Sequence, residues 1–193
     1  MKKNPKLQTS SGFTLVEMLV VIAIIGLIGG ILINNLRGSN GSRMAVDRAA
    51  TGLVADLRKA QNLAIAGKTA NGMPVCGFGV HYASVTTYQI YAGDVPNPST
   101  DQCASFSRDY IPGEGDRIVE TLKLIESEVE IKSWSGAGTA YDLFFESPDP
   151  ITYINNAKNA ATPLVITLGF KSAVCPTNCR TINIYSSGRI DLP

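Results

Sequence analysis

A single carboxylate, Glu17, stands inside an otherwise apolar run from Phe13 to Ile33, and its position asks for a chemical explanation. An isolated charge in hydrocarbon costs about 2.5–3.5 kcal/mol on insertion scales, so a charged partner is expected. Glu17 follows Phe13 by four residues, one helical turn along the same face, and Gly12-Phe13 closes a short basic leader. Other reactive types are scattered. His81 has no Ser or Cys partner at a diagnostic spacing and reads as a packed or surface side chain of a strand. Glu126, Glu128 and Glu130 fall on one strand face and read as solvated edge charges rather than an acid–base pair. Gly77-Phe78-Gly79 and Gly136-Ala137-Gly138 lack the strand-to-helix context of a phosphate loop. The expectation is a chain without catalytic residues, cofactor or metal.

Four cysteines, Cys76, Cys103, Cys175 and Cys179, all follow the apolar run and suit an oxidising compartment. Two disulfides are favoured over a metal site, because the spacings are not paired C-x2-C and there is one histidine. Cys175-Pro176-Thr177-Asn178-Cys179 lies between two strand-like runs and fits a closed hairpin tip, which leaves Cys76 to pair with Cys103. Lys171, Arg180 and Arg189 lie in a stretch with no acid before Asp191 and are the candidate contacts to DNA phosphate. Ordinary solubility residues are the favoured reading of those three. Overall charge is nearly balanced, 17 Lys+Arg against 16 Asp+Glu. Loss of residues 1–12 with their three lysines leaves −2, which gives no global pull toward nucleic acid or anionic lipid.

The elements that must position these groups are legible from periodicity. Phe13 to Ile33 is 21 residues, about 31 Å as a helix at ~1.5 Å per residue, which matches a bilayer core. Lys2, Lys3 and Lys6 keep the leader cytoplasmic, so everything after about Asn34 is expected outside. The run is too long for an ordinary signal-peptide core and no A-x-A site follows. Three segments result: leader 1–12, membrane and assembly helix 13–36, exported domain 37–193. Gly38-Ser39-Asn40-Gly41 is a candidate break. Val46, Ala50, Leu53, Leu57, Ala60 and Ala64 then recur at steps of four and three as one apolar helix face, and Gly67 is a fitting C-terminal cap. Strand patterns follow at Phe78–Tyr82, Tyr88–Ala92, Ile118–Leu124, Val129–Ser133, Tyr141–Phe145, Leu164–Phe170 and Arg180–Tyr185. Loops are expected from about Gly93 to Asp116 and from Asp149-Pro150. The fold class is α+β: a long N-terminal helix, half membrane-spanning and half amphipathic, packed on an antiparallel sheet and stapled by disulfides.

Ser11-Gly12-Phe13-Thr14-Leu15-Val16-Glu17 and the run behind it closely resemble the processing and assembly signal of type IV pilin precursors, a superfamily that includes the type II secretion pseudopilins. The resemblance covers Lys2 to about Leu36. It implies that a prepilin peptidase cuts between Gly12 and Phe13 and N-methylates Phe13. It also implies that Glu17 pairs with the positive terminus of a neighbouring pilin subunit, and that an inner-membrane platform protein takes part in assembly. A pilin-like fold is implied too, with residence as a single-pass inner-membrane protein and then in a filament. A looser resemblance, to GspH/FimT-type minor pilins and pseudopilins, rests on Leu57-Arg58-Lys59-Ala60-Gln61-Asn62-Leu63-Ala64 and Ser187-Gly188-Arg189-Ile190. Some members of that branch use a terminal Gly-Arg-x-Arg in DNA uptake. This chain has Gly188-Arg189-Ile190-Asp191, whose final carboxylate repels phosphate.

Overall fold

Apolar steps of four and three along one helix organise most of this molecule. In the computed structural model, residues 14–36, 39–67, 69, 70, 72–94, 103, 107–112, 115–135 and 142–193 are described. The chain divides into two units, one ending at Gly41 and one running Ser42–Pro193. Helix α1 is Leu15–Leu36 and helix α2 is Ser39–Ile65. Of the candidate break at 38–41, Gly38 lies outside the described residues, while Ser39, Asn40 and Gly41 open α2 as helix, and the division between the units follows Gly41. Val46, Ala50, Leu53, Leu57, Ala60 and Ala64 are each at most 1% exposed, so the sequence pattern is the buried face. The helix ends at Gly67, whose φ of +57° suits a residue without a side chain.

Among the described residues ten strands follow: β1 Val75–Ser84, β2 Thr87–Asp94, β3 Arg117–Lys123, β4 Val129–Ser135, β5 Asp142–Glu146, β6 Thr152–Ile154, β7 Ala157–Lys158, β8 Leu164–Phe170, β9 Cys179–Ile184 and β10 Ile190–Asp191. They form two antiparallel sheets, ordered β3-β2-β1-β5-β6-β7 and β10-β9-β8-β4, rather than the single sheet expected. The division falls between β3 and β4, which the sequence pattern runs together. The Ile131 amide bonds to the Val85 carbonyl at the β1–β2 turn, and β4 then pairs with β8. Within the loop expected from Asp149-Pro150, β6 and β7 pair as a short hairpin. Asn155 and Asn156, with φ of 48° and 59°, make its two-residue turn, a geometry that Asn tolerates.

One apolar core joins α2 (Leu53, Leu57), the six-stranded sheet (Phe78, Ile90, Phe145) and the four-stranded sheet (Ile131, Ile166, Ile182). A second, smaller cluster of Cys76, Tyr91, Phe144 and Tyr153 gathers Cys103, Tyr110 and Ile151. The glycines of Gly77-Phe78-Gly79 serve this packing. A Cβ on Gly77 would collide first with the Phe145 carbonyl oxygen and then with the Phe144 ring, and one on Gly79 would collide with the Tyr91 ring. The neighbouring strand's backbone and these rings occupy the space that side chains would need.

Candidate functional site

Thr14 and Glu17 form a reciprocal cap at the start of α1. The Glu17 amide donates to Thr14 Oγ1 at 3.2 Å, while the Thr14 amide and hydroxyl each donate to Glu17 Oε2 at 3.3 Å. The Thr14 carbonyl accepts the first helical bond, from Met18. This is a capping box, which satisfies amides that have no partner inside the helix. The Thr-x-x-Glu spacing carries the signal, and sequence reasoning centred on charge passed over Thr14. Glu17 is thus an acceptor for its own first turn, and it is exposed. Gly12 and Phe13, the expected cut and methylation residues, lie outside the described residues.

Beyond Glu17, large apolar side chains from Leu15 to Ile31 are exposed along α1. Added Cβ atoms at Gly26, Gly29 or Gly30 would meet nothing within 4 Å. Side chains of α1 are described as far as Ile31, and among the described residues no helix is long and apolar enough to cross a membrane. The expectation of a membrane span rests on the sequence of the Phe13–Ile33 run alone.

In the unit Ser42–Pro193, disulfides join Cys76 to Cys103 and Cys175 to Cys179. The first ties Cys103 to the start of β1, and the second closes the β8–β9 tip. The three candidate DNA cations each face a carboxylate. Lys171 lies 3.7 Å from Glu128, Arg189 lies 3.1 Å from Asp191 and stacks 4.2 Å over the Tyr185 ring, and Arg180 binds Asp47. Each site is close to neutral, so the three do not combine into a strong phosphate field. The acidic run is likewise paired: Glu126 with Arg48, Glu128 with Lys171 and Glu130 with Lys132. Only Glu130 lies in a strand; Glu126 and Glu128 sit in the turn before β4, which corrects the shared strand face.

His81 contacts the buried Asp142, Nδ1 to Oδ1 at 2.6 Å, a pairing set by the β1–β5 register. The Tyr110 amide donates to Asp142 Oδ2 at 3.0 Å, and the Tyr110 ring lies 4.8 Å from the His81 ring. Tyr91 donates to the Arg108 carbonyl at 2.6 Å, and burial pushes its phenol well above the usual range. Burial, and secondarily the Asp142 carboxylate, raise Asp109. These contacts clamp residues 107–112 over the second cluster. Among the described residues, no three His, Cys, Asp or Glu side chains converge to hold a metal ion.

The two stretches behind the looser resemblance meet in space. Gln61 Nε2 donates to the Gly188 carbonyl at 3.2 Å. Gly188 has a φ of +81°, and a Cβ there would lie 2.9 Å from that nitrogen.

The family model for the prokaryotic N-terminal methylation motif matches residues 7–33, a stretch that contains Gly12, Phe13, Thr14 and Glu17. No curated protein and no solved structure matches the chain.

Proposed function

We propose that this chain is a structural subunit of a type IV pilus-like filament, a pilin or a minor pilin or pseudopilin, and that it works by assembly rather than catalysis. The observation that carries the reading is the methylation motif at residues 7–33, with Glu17 at the head of a helix whose apolar side chains are exposed. In this reading the precursor enters the inner membrane with its leader inside. Prepilin peptidase cuts between Gly12 and Phe13, and Phe13 is methylated. Subunits held in the bilayer by the Phe13–Ile33 run are then drawn out through a platform protein. Their helices bury against one another, and Glu17 trades its own Thr14 amide for the cationic terminus of a neighbour. That exchange offsets the cost of a carboxylate in an apolar filament core and sets the axial register.

Within this family we favour the GspH/FimT-type branch, because the Gln61–Gly188 contact makes one packed feature of the two stretches that suggested it. The neutralised Lys171, Arg180 and Arg189 favour a filament or secretion role over DNA uptake.

Mass spectrometry of membrane and filament fractions tests the reading. Gly12→Leu is expected to leave uncut precursor; mature-sized protein in that variant would refute the assigned cut. Glu17→Ala is expected to mature normally yet be depleted from filaments. Wild-type incorporation of Glu17→Ala removes the register role.

A further inference from the structure

We infer that the end of the exported unit bearing the Cys175–Cys179 loop rests on the bilayer headgroups, with Val174 inserted among them and Arg43 against a lipid phosphate. The inference depends on the membrane-anchored reading above. Only Asn34 to Gly41 separate the last residue of the apolar run from Ser42, where the exported unit begins. Even fully extended, those eight residues reach only about 30 Å, which bounds how far the first turns of α2 in that unit can stand from the membrane surface.

The chemistry at those turns suits that neighbour. A cleft of about 300 Å³ opens between α2 and the β8–β9 tip, lined by Arg43, Asp47, Thr177, Asn178 and Arg180 among others. Its two cations differ. Arg180 is neutralised by Asp47. Arg43 donates from Nε to the neutral amide oxygen of Asn178 at 2.9 Å and has no carboxylate partner among the described residues. An uncompensated guanidinium thus stands at an open polar cleft, the arrangement that takes a phosphate oxygen. Next in sequence to Cys175 of the loop, Val174 is 83% exposed, and Met44, which follows Arg43 on α2, is 58% exposed. Exposed apolar side chains combined with a cation that lacks a carboxylate partner are the composition of interfacial anchors, which sink about 5–10 Å into the headgroup boundary. A stable protein partner needs some 1,200–2,000 Å² of buried surface, far more than two side chains and a cleft provide. A tethered domain needs little, because the anchor keeps its effective concentration at the membrane high.

The test uses the full chain in nanodiscs of mixed zwitterionic and anionic phospholipid, with tryptophan placed at Val174 or, as a control, at Ile65. Ile65 is also exposed but lies 22 residues beyond Arg43 on α2, about 33 Å along the axis. The buried Trp134 supplies a constant background. Val174→Trp is expected to lose about half of its added emission to lipids brominated near the headgroup, with Ile65→Trp unaffected. Adding Arg43→Ala is expected to lower the docked-to-free ratio about fivefold on anionic lipid. If the chain enters nanodiscs but Val174→Trp is unquenched, or both positions quench equally, this inference is overturned and the anchor stands. Quenching at Val174 that follows the number of chains per disc rather than the brominated lipid would assign the surface to a second copy and also overturn it. Failure of the wild-type chain to enter the bilayer removes the anchored reading and this inference together.

Discussion

Replacing Thr14 by Ala tests whether the first turn of α1 is held by the local cap. The cap consists of three contacts, and Thr14→Ala removes the two that pass through the hydroxyl. The Thr14 amide contact to Glu17 Oε2 does not need that side chain. Loss of a threonine N-cap typically costs about 1 kcal/mol, which is about fivefold in the opening equilibrium of the turn. Amide hydrogen exchange of Glu17 and Met18, measured in the full chain in nanodiscs, should accelerate by that factor. Thr14→Ser keeps the hydroxyl and should exchange like wild type. Glu17→Gln separates capping from charge, because glutamine also completes a capping box. Protection should survive in Glu17→Gln while filament incorporation falls. Unchanged exchange in Thr14→Ala would refute the cap, and full incorporation of Glu17→Gln would refute the need for a carboxylate charge.

Gly79→Ala should destabilise the Ser42–Pro193 unit by about 1–3 kcal/mol or more in urea unfolding, because the new Cβ collides with a ring whose hydroxyl is tied to Arg108. Removing Cys76–Cys103, which bridges a sequence separation of 27, should cost about 3.5 kcal/mol by loop entropy; removing Cys175–Cys179, with a separation of 4, should cost about 2. Equal losses for the two cysteine pairs would show that loop length is not the governing factor. Asp109 has a folded pKa above its unfolded one, so within that window the folded chain keeps a proton that the unfolded chain has lost. Stability should therefore fall as pH rises from the ordinary carboxylate range through the raised value, and return on acidification. Asp109→Asn should flatten that slope, as read from urea midpoints across a pH series.

Periodicity and spacing made α2, its buried face and most strands legible, because a 3.6-residue or two-residue repeat is a local consequence of backbone geometry. Glu17 was conspicuous for the same kind of reason: charge among apolar neighbours shows in one dimension. Thr14 was legible as well, through its spacing from Glu17, and needed only to be read as a cap. Other features depended on register between distant segments. His81 faces Asp142 because β1 pairs with β5, and Arg180 faces Asp47 because the β8–β9 tip reaches α2. The separation of β3 and β4 into different sheets was equally hidden, since both strands alternate in the same way and differ only in their partners. By itself the sequence determined the N-terminal signal, the fold class and the faces of its elements. Tertiary structure decided which charges are neutralised and which cation, Arg43, is left without a carboxylate among the described residues. Pairing of that kind depends on distances between residues far apart in the chain, and no local repeat encodes them.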